Sequence, residues 1–312
     1  MILFISVYFM LSSLLAFGQD LPPYEPCDLA YRLEQRGDFC FWHSSNDGAV
    51  GQMNFFEANQ QCQLRGAKLA TPNTQDIAEW FQLRQDVVGR RQRDYWIGGL
   101  DEPWRNGSYY WLDGTPWDQA HANNFWAVGE PSGPPNHCIA LAGRDEIVKG
   151  YWDDRHCYND DLDFICQRER RRVCTCSENE SKFCDIGFGC TSFRVCESGL
   201  VITVQCAPGE VADSVNQTCA PANEVQAPCG QLRSCAGFGN ASVPIYDNMC
   251  HTYYRCENDQ WQEELDCPEG EIWDEIRQSC ESVESTCEPC GHSSTTPDGS
   301  PCPGPRIPNI KL

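Results

Sequence analysis

Tyr95-Trp96-Ile97-Gly98-Gly99-Leu100, Tyr109-Tyr110-Trp111-Leu112-Asp113-Gly114, Trp152-Asp153-Asp154 and Phe164-Ile165-Cys166 follow one another along a single tryptophan-rich segment. Rich in aromatic and β-branched residues and punctuated by Gly and Asp, they predict strands over Tyr95–Leu100, Tyr109–Leu112 and Phe164–Cys166, with another over Cys138–Leu141. Upstream the period changes. Phe55, Ala58 and Cys62 share one helical face, and Ile77, Trp80, Phe81 and Val88 share another behind a Thr74 N-cap. The segment therefore reads as α+β. Between its strands lies Asp113 to Asn136, rich in Gly, Pro and Asn, and a loop of that length inside a compact domain usually carries function.

Cysteine divides the remainder of the chain. Of 22 cysteines in 312 residues, six lie between Cys27 and Cys166, and sixteen crowd Cys174 to Cys302. The first region holds eight of the ten tryptophans and can bury an ordinary core; the second is poor in large apolar residues and depends on covalent staples. The six histidines are scattered rather than paired with cysteines at zinc-ligand spacing, so an oxidising compartment and a disulfide framework are expected. An apolar start, Met1 to Gly18, closing on Ala16-Phe17-Gly18, predicts a signal peptide over 1–18 and a secreted protein. No other stretch is apolar for long enough to span a bilayer. Sequons at Asn106, Asn179, Asn216 and Asn240 fit that compartment. A net charge of −22 argues against nucleic acid and anionic membranes as partners and makes cations the natural counter-charge.

The cysteine-rich region repeats. Cys190, Cys196, Cys206 and Cys219 recur as Cys250, Cys256, Cys267 and Cys280, and Cys206-Ala-Pro-Gly-Glu answers Cys267-Pro-Glu-Gly-Glu. Two small β modules are expected, over 174–229 and 235–290, with a Pro-rich tail over 291–312. Arg168-Glu169-Arg170-Arg171-Arg172 reads as an exposed basic linker, 168–173, whose pattern also suits a processing protease.

The Trp-rich segment, 27–167, resembles the C-type lectin-like domain in its long form. The resemblance rests on Ala58 with Cys62, Leu69-Ala70, the four stretches above, and Glu130-Pro131-Ser132. It implies the pairs Cys27–Cys40, Cys62–Cys166 and Cys138–Cys157. It also implies one Ca2+ shared with two sugar hydroxyls, held by Glu130, Ser132, Asn136, Asp153 and Asp154. Ser132, Asn136 and Asp153 depart from the mannose-type pattern. Three carboxylates remain, but donor and acceptor exchange places between Asn136 and Asp153. Mannose- or fucose-type glycans are the favoured ligands because Glu-Pro is kept. The auxiliary calcium site of some relatives is expected to be missing, since Arg105, Gly133 and His137 stand beside Asp101. His137 and His156 flank the loop as possible pH sensors. Trp117 could stack on a sugar, while Trp126 is expected in the core.

The cysteine modules resemble the peritrophin-A chitin-binding module. In the second copy this implies Cys235–Cys256, Cys250–Cys287 and Cys267–Cys280. In the first it implies Cys190–Cys229 and Cys206–Cys219, with Cys176 or Cys174 joined to Cys196. The leftovers Cys174/Cys184 and Cys290/Cys302 would each make one more bridge. Chitin is uncharged, so stacking aromatics would read it, and the candidates are Tyr253, Tyr254, Trp261 and Trp273. The first copy offers only Phe193, with Val211 expected where Trp273 stands. The sum is a secreted, calcium-dependent glycan-binding protein with chitin-binding modules. The alternative is an acidic matrix protein with a silent lectin site. No nucleophile–base pair, metal-hydrolase motif or phosphate loop suggests an enzyme.

Overall fold

The computed structural model describes residues 24–302 except 89–92, 102–108, 134–135, 144–149, 178–181, 227–228, 236, 247–248 and 289. The expected signal peptide and the sequons at Asn106 and Asn179 lie outside the described residues.

The first helix, α1 (Phe55–Gln63), starts at a reciprocal cap. Asn54 Oδ1 accepts from Glu57 N at 3.0 Å, and Glu57 Oε2 accepts from Asn54 N at 3.2 Å. Phe55, Ala58 and Cys62 are buried, as the periodicity requires. Helix α2 (Gln75–Val88) begins one residue after Thr74, whose Oγ1 accepts from Ile77 N at 3.4 Å. These helices pack around a sheet built from β1 (Glu34–Arg36), β2 (Phe39–His43), β3 (Lys68–Leu69), β4 (Tyr95–Asp101), β5 (Tyr109–Trp111), β6 (Cys138–Leu141), β7 (Trp152–Arg155) and β8 (Asp163–Glu169). The order is β1-β2-β8-β4-β6-β7, with β3 also on β8 and β5 also on β4. Among the described strands of this sheet only β4 and β8 pair in parallel, so the segment is α+β with the antiparallel arm of the sheet ending on β7. Gly99 is needed where β4 crosses β6, since a Cβ there would stand 2.3 Å from Ile139 Cδ1.

The long loop is not structureless. Asp118 Oδ1 accepts from Ala120 N and His121 N at 2.9 and 3.1 Å and caps a short helix, α3 (Gln119–Ala122). Phe125 and Trp126 then turn inward. They join Tyr109, Trp111 and Trp152 in a second core of the head. Trp117 lies 5.0 Å from Trp111 and 5.9 Å from Trp152, ring centre to ring centre, so it belongs to this cluster rather than to an open sugar platform.

The two modules repeat in structure as in sequence. Strands β9 (Lys182–Ile186), β10 (Ser192–Glu197) and β11 (Leu200–Gln205) form one three-stranded sheet, followed by the hairpin β12 (Glu210–Asp213) and β13 (Thr218–Pro221). In the second copy these become β14 (Ser242–Pro244), β15 (Thr252–Glu257) and β16 (Gln260–Asp266), then β17 (Glu271–Asp274) and β18 (Ser279–Ser282). The hairpin register makes Ala212, not Val211, the counterpart of Trp273: Ala212 faces Cys219 as Trp273 faces Cys280.

All 22 cysteines are paired. The three bridges of the head, Cys27–Cys40, Cys62–Cys166 and Cys138–Cys157, are those the resemblance implies. The first module joins Cys174–Cys184, Cys176–Cys196, Cys190–Cys229 and Cys206–Cys219. In the second, Cys235–Cys256 and Cys267–Cys280 form as expected. The expected Cys250–Cys287 pair does not. Cys250 joins Cys290, and Cys287 joins Cys302. The repeat explains the exchange: Cys190–Cys229 spans 39 residues and Cys250–Cys290 spans 40, so Cys290 occupies the sixth position of the frame. The tail up to Cys302 is consequently stapled to the module.

The basic stretch is no exposed hinge. Arg168 lies within β8 and donates to Ile186 O at 3.0 Å, and Arg170 Nε donates to Glu25 O at 3.0 Å. Arg194 of the first module pairs with Glu25 and Asp185. Apolar contacts join the modules to the head as well. Tyr246 stacks on Phe56 with ring centres 5.3 Å apart, and Phe188 meets Trp42 at 6.0 Å. No helix among the described residues is long and apolar enough to cross a membrane.

Candidate functional site

Strand β7 carries Asp153 and Asp154 at the edge of the sheet because Trp152 anchors it from below. Trp152 N donates to Phe125 O at 2.6 Å, and Ala127 N donates to Trp152 O at 2.8 Å. The long loop thereby runs alongside β7 and delivers Glu130, whose N–H closes a turn on Ala127 O at 3.0 Å. The Glu130–Pro131 peptide is cis. One carboxylate oxygen from each of Glu130, Asp153 and Asp154 lies within 4.8 Å of the others.

Ser132 and Asn136 sit beside this cluster in different roles. Asp154 Oδ1 accepts from both Ser132 N and Ser132 Oγ at 2.8 Å, and Oδ2 accepts from Gly133 N at 2.7 Å and Tyr109 Oη at 3.1 Å. These four bonds use the ordinary acceptor capacity of a carboxylate. Asn136 Nδ2 donates to Ser132 Oγ at 3.1 Å and so braces the loop. Asp153 Oδ2 is 2.7 Å from the Arg155 guanidinium, which also reaches Asp94 at 3.5 Å.

The electrostatics record the crowding. Burial, the neighbouring Asp154 carboxyl and repulsion from Asp153 push Glu130 up to about 7. Burial pushes Asp153 up to about 6; Arg155 opposes the rise, and Asp154, Asp94 and Asp160 add to it. Oε2 of Glu130 is buried without a donor. A divalent cation would relieve all three strains, so the donor set fits one. Arg155 and the four donors on Asp154 are what it would have to displace or share.

Asp101 and His137 form a buried pair, Nδ1–H to Oδ2 at 3.0 Å. Burial works against the His137 charge, but Asp101 and Glu288 outweigh it and raise the imidazole.

The four candidate chitin-reading aromatics divide between two faces. Tyr254 is buried and donates to Ser234 O at 3.0 Å. Trp261 packs half-buried on that same small core of Cys235, Val243, Ile245 and Cys256. Alternation along β15 sends Tyr253 the other way, where it stacks on buried Trp273 with ring centres 3.8 Å apart and planes 16° apart. Tyr254 and Trp273 are therefore core residues, and Tyr253 and Trp261 keep accessible surface.

Residues 51–168 match the family model described as Lectin C-type domain. The head is a C-type lectin domain. A second match, Chitin binding Peritrophin-A domain, covers residues 235–290. The expectation of two such modules is corrected to one, since 174–229 lie outside the match. Among curated proteins, the chain is 32% identical over 137 residues to asialoglycoprotein receptor 2 of Mus musculus, covering 43% of this chain and 40% of that protein. It is 31% identical over 137 residues to C-type lectin domain family 10 member A of Homo sapiens, covering 44% and 36%. The chain thus spans two fifths or less of the length of these relatives. The mouse scavenger receptor C-type lectin carbohydrate-recognition domain is a similar solved structure, with 24% identity, 48% of this chain and 99% of that chain covered, and a TM-score of 0.36.

Within the lectin domain, sequence reasoning finds the acidic residues but not their partners. Arg155 was visible as a base next to two acids, in Trp152-Asp153-Asp154-Arg155. Tyr109 was legible only as a strand residue, and the Gly133 N–H carries no sequence signal.

Proposed function

We propose that the chain is a secreted carbohydrate-binding protein whose lectin domain holds a glycan through Ca2+ and whose 235–290 module holds chitin. The convergence of Glu130, Asp153 and Asp154 carries the lectin half of this reading. Glu130 and Asp153 would supply half-buried carboxylate oxygens and Asp154 a buried one. Ser132 Oγ and Asn136 Oδ1 are further oxygen donors beside them. When bound, Ca2+ would supply the charge that lets two sugar hydroxyls bridge to these carboxylates. The retained Glu130-Pro131 makes mannose- and fucose-type glycans the first to test, and the exchange of donor and acceptor between Asn136 and Asp153 is the departure that test probes. Tyr253, backed by Trp273, offers a flat face for an N-acetylglucosamine ring.

A second reading has its own support. Arg155 neutralises Asp153, and Asp154 is fully hydrogen-bonded without a metal. Such a site can be silent, leaving an acidic protein that organises a chitin matrix through its tail.

One experiment separates the two. Glycan and chitin binding by the full chain are measured with Ca2+ and with a chelator, alongside Glu130→Gln, Arg155→Ala and Tyr253→Ala. The lectin reading expects chelator-sensitive glycan binding, lost in Glu130→Gln, and Ca2+ affinity about tenfold tighter in Arg155→Ala, which corresponds to roughly 1.4 kcal/mol. Chitin retention should ignore the chelator and fall in Tyr253→Ala. Glycan binding absent with saturating Ca2+ sinks the lectin reading and leaves the matrix one.

A further inference from the structure

The sheet of the first module ends on β11, which reads Leu200-Val201-Ile202-Thr203-Val204-Gln205 and holds neither a charge nor a proline. It pairs with β10 on one side and, among the described residues, with no strand on the other. The other strands that end a described sheet are blunted. β1, β7, β9, β12, β16, β17 and β18 each carry a charged residue, and β13 and β14 each contain a proline. Of the two side branches of the head sheet, β3 carries Lys68, and β5 has Tyr109 and Trp111 buried. Charge and proline are what keep a sheet edge from pairing with another chain. The repeat supplies the control: where Ile202 stands opposite Val195, Glu263 stands opposite Arg255. Leu200, Val201 and Ile202 are also 68, 41 and 38% exposed, a run of consecutive exposed apolar residues that occurs nowhere else among the described residues.

The turn fixes which backbone groups are available. Ser198 and Gly199 both have positive φ and join β10 to β11 as a two-residue hairpin. Its closing pair, Glu197 and Leu200, and every second pair beyond it exchange backbone bonds. The bond from Cys206 N to Thr191 O at 2.8 Å continues that alternation. Leu200, Ile202 and Val204 therefore commit their N–H and C=O groups to β10, and Val201 and Thr203 turn theirs outward. We propose that a second copy of this chain pairs with that edge, β11 against β11, antiparallel about a two-fold axis at Ile202. In this register Val201 of each copy bonds Thr203 of the other, and Leu200 packs on Val204. Glu197 falls opposite Ala207, so no acid meets an acid. Charge selects the second copy as the occupant. Each chain carries −22, and an uncharged, self-complementary edge lets two such chains touch without bringing like charges together. A cationic partner would be drawn to the acidic surface instead. The pairing joins two three-stranded sheets into one and gives the assembly two lectin domains, whatever ligand they hold.

The test is sedimentation equilibrium of the full chain over a range of concentrations. A reversible dimer is expected. Ile202→Glu places at this edge the carboxylate that the second module carries there, and should weaken the dimer at least tenfold. Thr203→Pro removes an outward N–H that the folded chain does not itself use, and should do the same. Val215→Glu, at an 81% exposed position in the turn between β12 and β13, should leave the dimer intact. Circular dichroism checks the fold of each variant. Hydrogen exchange on the natural chain needs no variant: the amides of Val201 and Thr203 should slow as concentration rises, and those of β16 should not. A single chain at every concentration, a dimer that survives Thr203→Pro, an equal loss in Val215→Glu, or Val201 and Thr203 amides indifferent to concentration overturns the proposal.

Discussion

The lectin domain and the cysteine-rich modules hold their shapes by different means. The head buries Trp96, Trp111, Trp152, Tyr95, Phe41, Phe55 and Phe81 almost completely and uses three disulfides. The modules use eight, around short sheets with few large side chains inside. Apolar burial stabilises in proportion to area removed from water, whereas a bridge acts mainly by restricting the unfolded chain. The modules also lean on the head. Phe188, Tyr246 and Ile272 belong to the same apolar cluster as Phe55, Phe56 and Trp96. The contrast teaches that cysteine density marks where burial runs short, and that some of the missing burial is supplied by a neighbouring domain.

The largest effect should come from the head's core. Trp152 meets Trp111, Phe125 and Trp126 with ring centres 5.4, 5.5 and 5.9 Å away, and it anchors both the long loop and β7. Trp152→Ala should cost about 3–5 kcal/mol by denaturant unfolding followed by circular dichroism. A loss below about 1 kcal/mol would mean that the disulfides, not the aromatic cluster, hold the head. Next comes the tail. Cys267 and Cys280 close a span of 13 residues, so the double Cys→Ser variant should lose about 2–4 kcal/mol. The loss should appear as protease sensitivity within 235–290 while the head stays protected. Equal sensitivity in the head would show that the shared cluster makes the two parts one cooperative unit.

The head was legible because its patterns are local. The Phe55, Ala58 and Cys62 face, the Thr74 cap and the strand runs each depend on residues close in sequence. Strand β7 was harder to read as a strand, because Asp153, Asp154 and Arg155 have low β-propensity and are held in the sheet by β6 and by Trp152. The short helix in the long loop was missed for a related reason: a single Asp118 cap starts it, and Phe125 and Trp126 gain burial only from the distant β7. In the tail, the repeat in sequence was enough to expect two similar folds. It also held the correct partner of Cys250, since Cys290 lies 61 residues after Cys229, but the nearer Cys287 obscured the match. The carboxylate cluster was legible as residues. Its charge balance was not, because Arg155 and Tyr109 act through distances that only the fold sets.

The smallest effect is a pH dependence confined to the head, and its response to Glu130→Gln distinguishes the site from ordinary acidic surface. Glu130 rises from 4.5 to about 7 and Asp153 from 3.8 to about 6 on folding. Between the ordinary and raised values the folded chain holds more protons than the unfolded one, so stability falls as pH rises. The contribution is complete below about pH 4 and is lost as pH passes about 7. In the chelated protein the unfolding temperature should therefore decline across that window, by something on the order of a few degrees once solvent screening of these half-exposed groups is discounted. Glu130→Gln should flatten the decline, because the amide cannot titrate. Ca2+ should flatten it at the upper end, because the ion takes over the role of the protons, and calcium binding near pH 6 should release them. A decline identical in the natural chain and in Glu130→Gln would assign it to the general charge of −22 rather than to the three carboxylates. A decline that Glu130→Gln removes but Ca2+ does not would show that Arg155, and not a divalent ion, is the counter-charge the lectin site uses.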